Sequence, residues 1–377
     1  MPIHLDHAGG SLMSMKTYQA AADHLRMEMA SGGHVAARAA SNSMQLFYSR
    51  AATVIGAKSA DEIAFITSGS QGLNLIISGL QIKSGGSIVT LSTEFGANII
   101  ALSNKARQTG SVLKIIECER DGSFSMFTLE YELKNGASCV FMSHAAAQGS
   151  ITNPIEAVGK LAAKYNVPFI VDACQSIGQL PIDVKACNCS ALFACGRKWL
   201  RGPRGTGILY IKQGAPILPT QFDIASADLV DNNPLNIQTL PNARAFEYWE
   251  KSVGNLLGLS NALDEFYRTS NSGGLKGISK NANLLRDTIA GNEALVLVGA
   301  QDSPSGIVGF YLRDPTKEQA VEKLFSDNKI MISTLRPYFC PLSFPKGAGA
   351  IFRLSPHYLT KSNEISLVAK MLQQIEM

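Results

Sequence analysis

The chain contains few charged side chains, and this scarcity restricts the surfaces that it can present to a partner. Lysine, arginine, aspartate and glutamate make up 17% of its 377 residues, whereas apolar residues make up 46%. Charged residues usually account for about a quarter of a soluble protein, so we expect a partner subunit to cover part of the apolar surface. The net charge is only +4 and no basic cluster occurs, which argues against a nucleic acid partner.

Segments that would direct the chain to a membrane or out of the cell are also missing. No apolar run reaches the ~18 residues that a membrane-spanning helix needs, and the N-terminus lacks the basic and apolar regions of a signal peptide. The seven cysteines are an odd number in a long chain, which is typical of reduced thiols. We therefore expect a cytoplasmic protein that does not bind a membrane. Cys187 and Cys189 are one residue apart, a spacing that is wrong for structural zinc, and we predict no metal site.

The chain lacks the short motifs of three common enzyme classes. A GxxxxGK[ST] loop, a GxGxxG fingerprint and a Ser/His/Asp set are absent, which argues against nucleoside triphosphatases, dehydrogenases and hydrolases. A glycine- and serine-rich stretch, residues 67–72 (TSGSQG), does stand between an apolar run and a helical pattern. Unpaired N–H groups at a helix N-terminus favour an anion, so Gly69 and Ser70 are candidates for binding a phosphate. Taken alone, the stretch is more simply explained as an ordinary helix cap.

Short apolar runs alternate with amphipathic segments as far as Lys212. This alternation predicts a doubly wound α/β fold around a mostly parallel sheet. Runs that are apolar throughout indicate that helices cover both faces of the sheet. The predicted strands are 63–67, 87–92, 112–119, 139–144, 169–173, 191–195 and 207–212, and the predicted helices include 14–29, 41–55, 71–80, 97–108 and 155–164.

The pattern changes after Lys212, which predicts a second domain. A proline-rich stretch, 213–245, is followed by a long helical pattern, strands near 295–299 and 307–312, a helix opened by Asp314 and Pro315, and a last helix at about 362–375. The chain is also longer than one typical core. We therefore predict a large domain over 14–245 and a smaller α+β domain formed by 1–13 and 246–377.

Two ionisable side chains stand directly after predicted strands. Lys198 follows the apolar run 191–196 and opens a glycine-rich turn, and Asp172 follows the apolar run 168–171. Ligands of open parallel sheets bind beyond the carboxyl ends of the strands, so we expect both side chains at the ligand site. An amine and a carboxylate are the pair that pyridoxal phosphate (PLP) requires, the first for a Schiff base and the second for the pyridinium nitrogen. Alone, each would be interpreted as a solvated rim residue or a helix cap.

Further side chains are candidates for the same site. Gln175 lies one helical turn beyond Asp172 and could donate to the ring hydroxyl of the cofactor, and Arg197 could add a guanidinium to its phosphate. Either could instead be an ordinary surface residue. Arg353 stands within an apolar strand, where an unpaired charge is unfavourable, so either a substrate carboxylate or a structural salt bridge to a local glutamate explains it. Arg336 is a second and weaker candidate for the carboxylate.

With these residues assembled, the chain resembles the class V aminotransferase and cysteine desulfurase family, which consists of PLP enzymes of fold type I. The resemblance runs from residues 4–9 (HLDHAG) to 353–356 (RLSP), and its motifs agree in order and spacing. It implies an α/β fold with a seven-stranded mostly parallel sheet between helices, a smaller α+β domain, and a homodimer. Four segments look most like the branch that contains hercynylcysteine sulfoxide lyase, a C–S lyase, and isopenicillin N epimerase-like proteins: 24–37, 95–98, 197–205 and 244–250.

The resemblance also assigns roles to individual residues. The implied roles are Schiff-base formation by Lys198, contact with the pyridine nitrogen by Asp172, contact with the ring oxygen by Gln175, phosphate binding by Gly69 and Ser70, and carboxylate binding by Arg353.

The chain departs from the desulfurase pattern at several positions. Phe95 takes the place of the histidine that stacks on the cofactor, and Cys195, followed by Gly196 and Arg197, takes the place of the serine before the Gly-His-Lys triplet. Ala147 stands where desulfurases carry an asparagine. Cys340 lies near the region of their nucleophile and could serve as one, although its spacing to the carboxylate-binding arginine differs and a buried, inert thiol is more common. These departures weaken the desulfurase assignment more than the cofactor assignment.

The residues together predict a PLP-dependent enzyme that acts at Cα and Cβ of a small-molecule amino acid. The leading prediction is β-elimination at the C–S bond of a cysteine-derived substrate. Cysteine desulfuration and class V transamination remain alternatives, because the orientation of the bonds about Cα decides among them. A non-catalytic regulator with the PLP fold is an alternative from another class, and the retention of Lys198, Asp172 and Arg353 argues against it.

Overall fold

The structure is a computed structural model that describes residues 2–83 and 85–376. Its strands are β1 (Ile3–His4), β2 (Ile63–Ile66), β3 (Ser87–Leu91), β4 (Val112–Ile116), β5 (Ala137–Ser143), β6 (Phe169–Asp172), β7 (Ala191–Cys195), β8 (Gly207–Ile211), β9 (Ala227–Leu229), β10 (Ile237–Thr239), β11 (Leu295–Val298), β12 (Val308–Leu312), β13 (Ile330–Met331), β14 (Ser333–Leu335) and β15 (Ile351–Leu354). Its α-helices are α1 (Met15–Ser31), α2 (Gly33–Ala39), α3 (Ser41–Ile55), α4 (Gly69–Gly79), α5 (Gly96–Thr109), α6 (Met126–Lys134), α7 (Ile155–Lys164), α8 (Val253–Asn271), α9 (Lys276–Ala290), α10 (Glu318–Asp327) and α11 (Ser362–Gln373).

A seven-stranded sheet organises the first half of the chain, in the order β2-β8-β7-β6-β5-β3-β4. Neighbouring strands from β4 to β7 are parallel, whereas β8 is antiparallel to both of its neighbours. The predicted seven-stranded, mostly parallel sheet is therefore confirmed. The predicted strand 112–119 ends early, at Ile116, because Cys118 turns away to form a bridge with Phe124.

Helices cover both faces of this sheet, as its apolar strands predict. One core cluster joins the sheet to α3, α6, α7 and α8, and a second cluster joins its opposite face to α4 and α5. Strands β5, β6 and β7 are buried at every position, whereas the edge strand β4 is mostly exposed or half-buried. This arrangement leaves the carboxyl ends of the central strands as the place where polar side chains can meet a ligand.

A four-stranded antiparallel sheet, in the order β11-β12-β15-β14, forms the core of the C-terminal region with α9, α10 and α11. The N-terminal segment joins this region, because β1 pairs with β13 and Asp6 forms a bridge with Ser355. Helix α8 packs instead against α1 and α3, and its leucines belong to the core of the large sheet. The predicted division of the chain into 14–245 and a second domain remains a prediction.

The predicted helices are also present, with one local difference. The helix after Asp314 begins with a single 3₁₀ turn, Pro315–Lys317, before α10, and the Asp314 side chain accepts a hydrogen bond from the N–H of Thr316. Within the described ranges, no helix combines the length and apolar character that crossing a membrane requires.

Candidate active site

A cavity of about 410 Å³ lies at the carboxyl ends of the central strands. Ser143, Asp172 and Cys195, the last residues of β5, β6 and β7, all line it. Cavities of this size hold small ligands and cofactors. All eight residues predicted to bind the cofactor line this one cavity: Gly69, Ser70, Phe95, Asp172, Gln175, Cys195, Arg197 and Lys198. The structure brings these residues together, and their individual roles remain predictions.

Helix α4 begins on the wall of the cavity. Ser68 is in an extended conformation (φ −164°, ψ 160°) and its side chain accepts a hydrogen bond from the N–H of Gln71, which caps the helix. A Cβ atom at Gly69 would lie 2.6 Å from the sulfur of Cys174, so a residue with a side chain does not fit there without displacing that sulfur. The glycine thus lets the first turn of α4 approach the wall, where its free N–H groups can receive an anion.

The Asp172 carboxylate is held by two donors from different elements. Its Oδ1 accepts the backbone N–H of Cys174 at 2.8 Å, and its Oδ2 accepts Nδ2 of Asn98 at 2.9 Å. The residue is 8% exposed. These bonds fix the carboxylate at the end of β6, where it lines the cavity.

Sequence reasoning missed the network behind Asp172. Nδ2 of Asn98 also donates to Oε2 of Glu94 at 3.1 Å, so one amide group bridges two carboxylates. Glu94 is fully buried, and it accepts both the backbone N–H and the hydroxyl of Ser143 at 2.6 Å. The sequence pattern around Phe95 points only to its aromatic ring. The Glu-x-x-x-Asn spacing of the segment 94–98 at the start of a helix is the signal that could have revealed the pair.

The buried Glu94 predicts a pH-dependent stability. Burial raises the pKa of its carboxyl from 4.5 to about 7, and the hydrogen bonds from Ser143 oppose that rise. At a pH between these two pKa values, Glu94 is protonated in the folded protein and ionised in the unfolded chain. The free energy of unfolding should therefore fall as the pH rises through this range. Glu94→Gln is neutral at every pH and should remove this fall, which urea unfolding at about pH 5 and about pH 8 would measure. An equal decrease in the wild type and the variant would contradict the assignment.

Gln175 and the lysine-bearing loop are held together by direct contacts. Nε2 of Gln175 donates to the carbonyl of Ala8 at 3.1 Å, and its Oε1 accepts Nε1 of Trp199 at 3.1 Å. Trp199 is 1% exposed, so it anchors the residue before it, Lys198, to the core. Arg197 donates to the carbonyl of Gly9. The N-terminal segment therefore contacts two of the predicted cofactor residues.

Lys198 is half-buried and faces the cavity. Within residues 2–83 and 85–376, its ammonium makes no hydrogen bond or ion pair. Asp172 lines the same cavity but is occupied by its own donors. The amine is thus available to a ligand.

Arg353 lies behind the cavity wall with most of its donors engaged. Its Nη2 contacts Oδ1 of Asp6 at 3.1 Å and the hydroxyl of Ser333 at 2.9 Å, and its Nη1 donates to the carbonyl of Ala147, a cavity residue, at 3.1 Å. A salt bridge is thus present, but its partner is Asp6, 347 positions away, and not the local glutamate that the sequence suggested. One guanidinium donor, Nε, is buried and left without a partner among the described residues.

Arg336 and Cys340 do not reach the cavity. Arg336 pairs with Glu318 at 2.9 Å and with Glu322 at 3.3 Å, two acids one turn apart on α10. Cys340 is fully buried in an apolar cluster, and burial raises the pKa of its thiol to about 12. The loop does touch the site, because the Phe339 ring lies 6.0 Å from that of Phe95. In the described residues, no group of three or more His, Cys, Asp or Glu side chains is placed to hold a metal ion.

The donor set of the cavity fits PLP. A free amine, a fixed carboxylate, an aromatic ring and a helix N-terminus with a nearby guanidinium surround one space. These groups match the aldehyde, ring nitrogen, ring face and phosphate of that cofactor.

Comparison with known proteins supports this match. A family model described as aminotransferase class-V matches residues 3–368. One relative is a probable cysteine desulfurase of Pyrococcus abyssi, 26% identical over 329 residues, which cover 84% of this chain and 79% of the relative. Another is a probable hercynylcysteine sulfoxide lyase of Mycobacterium tuberculosis, 26% identical over 372 residues, which cover 98% of this chain and 89% of the relative.

Solved structures show the same fold. The apo structure of a cysteine desulfurase from Thermococcus onnurineus NA1 has a TM-score of 0.88 at 24% identity and covers 99% of this chain and 94% of its own. The complex of the cystine C–S lyase C-DES with cysteine persulfide has a TM-score of 0.88 at 18% identity, and it covers 100% of this chain and 98% of its own. The predicted fold type is thereby confirmed.

Proposed function

This chain belongs to the aminotransferase class-V family of PLP-dependent enzymes, and from this premise we propose that it cleaves the C–S bond of a cysteine-derived amino acid by β-elimination. The observation that carries the proposal is the convergence of the Lys198 amine and the Asp172 carboxylate on one cavity at a helix N-terminus. Relatives named as a cysteine desulfurase and a hercynylcysteine sulfoxide lyase support a cysteine-derived substrate.

The residues that would hold the cofactor divide by the part that each contacts. Gly69, Ser70 and Arg197 would hold the phosphate with Cys195 beside them, Asp172 the ring nitrogen, Gln175 the ring oxygen and Phe95 the face of the ring. When bound, PLP supplies an electron sink for the negative charge that develops at Cα of the substrate.

Lys198 is the group that would move the proton at Cα. It is half-buried, and in the described part of the chain its ammonium is unpaired. Phe95 offers no titratable atom where desulfurases carry a histidine, so it cannot give a proton to a departing sulfur. This favours a sulfur that leaves readily without a proton, as from a sulfoxide or a disulfide, over the thiol of free cysteine.

Arg353 would bind the substrate carboxylate through its free Nε and the adjoining donors. Asp6 holds the guanidinium at 3.1 Å and would orient it. The contact with the Ala147 carbonyl places the arginine against the cavity wall. A bidentate contact of this kind would also fix the substrate about Cα.

Cysteine desulfuration is the second candidate, favoured by the names of several relatives. It requires a thiol that can reach the substrate and accept its sulfur as a persulfide. Cys340 is fully buried, and the pKa of its thiol is raised to about 12, which makes it a poor nucleophile. The site therefore supports elimination better than desulfuration.

A product assay separates the two reactions. The purified holoenzyme would be given cysteine, cystine, an S-alkylcysteine and its sulfoxide, and pyruvate, alanine and sulfide would be scored. We expect pyruvate and ammonia, with the sulfoxide or the disulfide as the best substrate. Cys340→Ala should leave these rates within about twofold, since a buried apolar thiol contributes packing and no chemistry. Alanine with persulfide on Cys340 would establish desulfuration, and amino transfer to an added keto acid would establish transamination.

We also propose that the chain forms a homodimer. Large apolar side chains are exposed near one cavity of about 780 Å³, among them Ile224 at 76% and Trp249 at 55%. A second copy would cover them, and the segment 244–249 would then lie near the neighbouring site. Sedimentation at micromolar concentration would test this, and a monomer would contradict it.

A further inference from the structure

We propose that Cys174 and Cys195 form a redox-active dithiol in the cavity wall, at which a peroxide closes an intramolecular disulfide and weakens the hold on PLP. The inference goes beyond the proposed reaction, because it does not depend on which amino acid the enzyme cleaves. It concerns two thiols that the proposed elimination does not consume.

The strand register places the two cysteines side by side. Asp172 of β6 lies opposite Phe193 of β7, and the N–H of Ala173 donates to the Phe193 carbonyl at 2.9 Å, so the pairing continues beyond the strand. Cys174 lies two residues after Asp172, and Cys195 lies two residues after Phe193. Adjacent strands are about 4.8 Å apart, within the roughly 4.4–6.8 Å that a disulfide spans between Cα atoms.

The Cys195 thiol also contacts the residue that bears the other thiol. Its sulfur lies 3.9 Å from the carbonyl oxygen of Cys174. Both residues line the cavity and are nearly buried, at 9% and 7% exposure. A disulfide would therefore need little backbone movement, and a small oxidant could reach it through the cavity.

The surroundings give the two sulfurs different roles. Interaction with Cys174 and the positive charges of Lys198 and Arg197 lower the pKa of Cys195 in spite of its burial, whereas interaction with Cys195, burial and the charge of Asp172 raise that of Cys174. Cys195 is thus the thiolate that an oxidant meets first, and Cys174 is the resolving thiol.

The oxidation balances with hydrogen peroxide as the oxidant. The Cys195 thiolate attacks one peroxide oxygen, the O–O bond breaks, hydroxide leaves and a sulfenic acid forms. The Cys174 thiol then attacks that sulfur, the S–O bond breaks, water leaves and the S–S bond forms. Two thiols lose two electrons in total, and one peroxide gains them.

The disulfide would act on the phosphate end of the cofactor site. The Cys174 sulfur is the atom that a Cβ at Gly69 would meet at 2.6 Å, so it supports the first residue of α4. Closing the S–S bond would draw this sulfur toward Cys195 and move the start of α4, whose free N–H groups would otherwise receive the phosphate. Losing one hydrogen bond to a charged group should weaken PLP binding by at least about tenfold.

Peroxide treatment of the PLP-loaded protein tests the proposal. Peptide mapping without reductant should show Cys174 linked to Cys195, and gel filtration should then release PLP that the untreated protein retains. A dithiol reductant should restore both the thiols and PLP binding. Oxidation of the exposed Met29 (83% exposed) in the same sample reports the dose of peroxide.

Two variants provide controls, each compared with its own untreated sample. Cys174→Ala cannot close the disulfide, so its Cys195 should be oxidised beyond the sulfenic acid to the sulfinic acid, which a dithiol does not reduce. Its loss of PLP after peroxide should therefore not be reversed. Cys187→Ala removes a buried thiol outside the cavity and should respond as the wild type does. The proposal is overturned if Met29 oxidises while Cys174 and Cys195 remain unlinked, or if the linked protein binds PLP as tightly as the reduced one.

Discussion

Lys198→Ala protein should carry no cofactor on any peptide after borohydride reduction, and its rate of product formation should fall by at least about a thousandfold. The cause is the loss of Lys198, the one lysine among the described residues that line the cavity, which both attaches the cofactor and moves the proton at Cα. PLP should still bind reversibly, because the helix N-terminus, Asp172 and Phe95 remain. Peptide mapping of reduced protein and a product assay at saturating PLP measure the two effects separately.

Lys160→Ala is a matched control for this experiment. Lys160 is exposed on α7 and does not line the cavity, so its loss should change neither attachment nor rate. The fold of the Lys198 variant should also persist, since the neighbouring Trp199 stays buried. A reduced adduct on another lysine of the wild type would remove Lys198 from its assigned role, whatever the rate of the variant.

The fold could be predicted from the sequence because it rests on local patterns. Seven apolar runs between amphipathic segments suffice to indicate a covered parallel sheet, and both ends of α3 and α7 fall at the predicted residues. The reversed direction of β8 could not be predicted in this way. A strand that is buried on both faces has the same apolar sequence pattern in either direction. The loop 196–206 reverses the direction of the chain, but its sequence indicates only a glycine-rich stretch.

The candidate site likewise contains some residues that the sequence could predict and others that it could not. Lys198 and Asp172 were predictable because strand ends converge at one edge of a sheet, whichever residues occupy them. The partner of Arg353 was not, because Asp6 is separated from it by 347 positions. Pairings at that distance are set by how the N-terminal segment joins the C-terminal region, through the pairing of β1 with β13 and the bridge from Asp6 to Ser355, and no local pattern encodes them.

The same limit explains the two residues that sequence reasoning placed near the substrate and the structure places elsewhere. Arg336 and Cys340 lie in a loop that does approach the cavity through Phe339. Which side chain of a loop faces a ligand depends on its partners in space. Here the two acids of α10 engage the arginine, and an apolar cluster encloses the thiol.

Asp172→Asn should lower kcat/KM by about ten- to a hundredfold and raise the dissociation constant for PLP, because a charge-assisted hydrogen bond to the ring nitrogen contributes about 1.5–3 kcal/mol. The geometry adds a second effect. Both carboxylate oxygens accept hydrogen bonds, from the Cys174 N–H and from Asn98. An amide has one acceptor oxygen, so its NH₂ must face one of these donors and leave that bond unmade.

The two effects can be separated. An unmade buried hydrogen bond should reduce the free energy of unfolding by about 1–3 kcal/mol even without PLP, whereas loss of the charge should appear only in PLP binding and rate. Asn98→Leu removes one of the donors and leaves the carboxylate charged, so it should lower stability and reduce the rate less than Asp172→Asn does. Asp327→Asn, an exposed site on α10 outside the cavity, should change neither PLP binding nor rate. If Asp172→Asn keeps wild-type kcat/KM, the carboxylate does not act on the cofactor ring, and the convergence of Asp172 with Lys198 no longer supports the proposed chemistry.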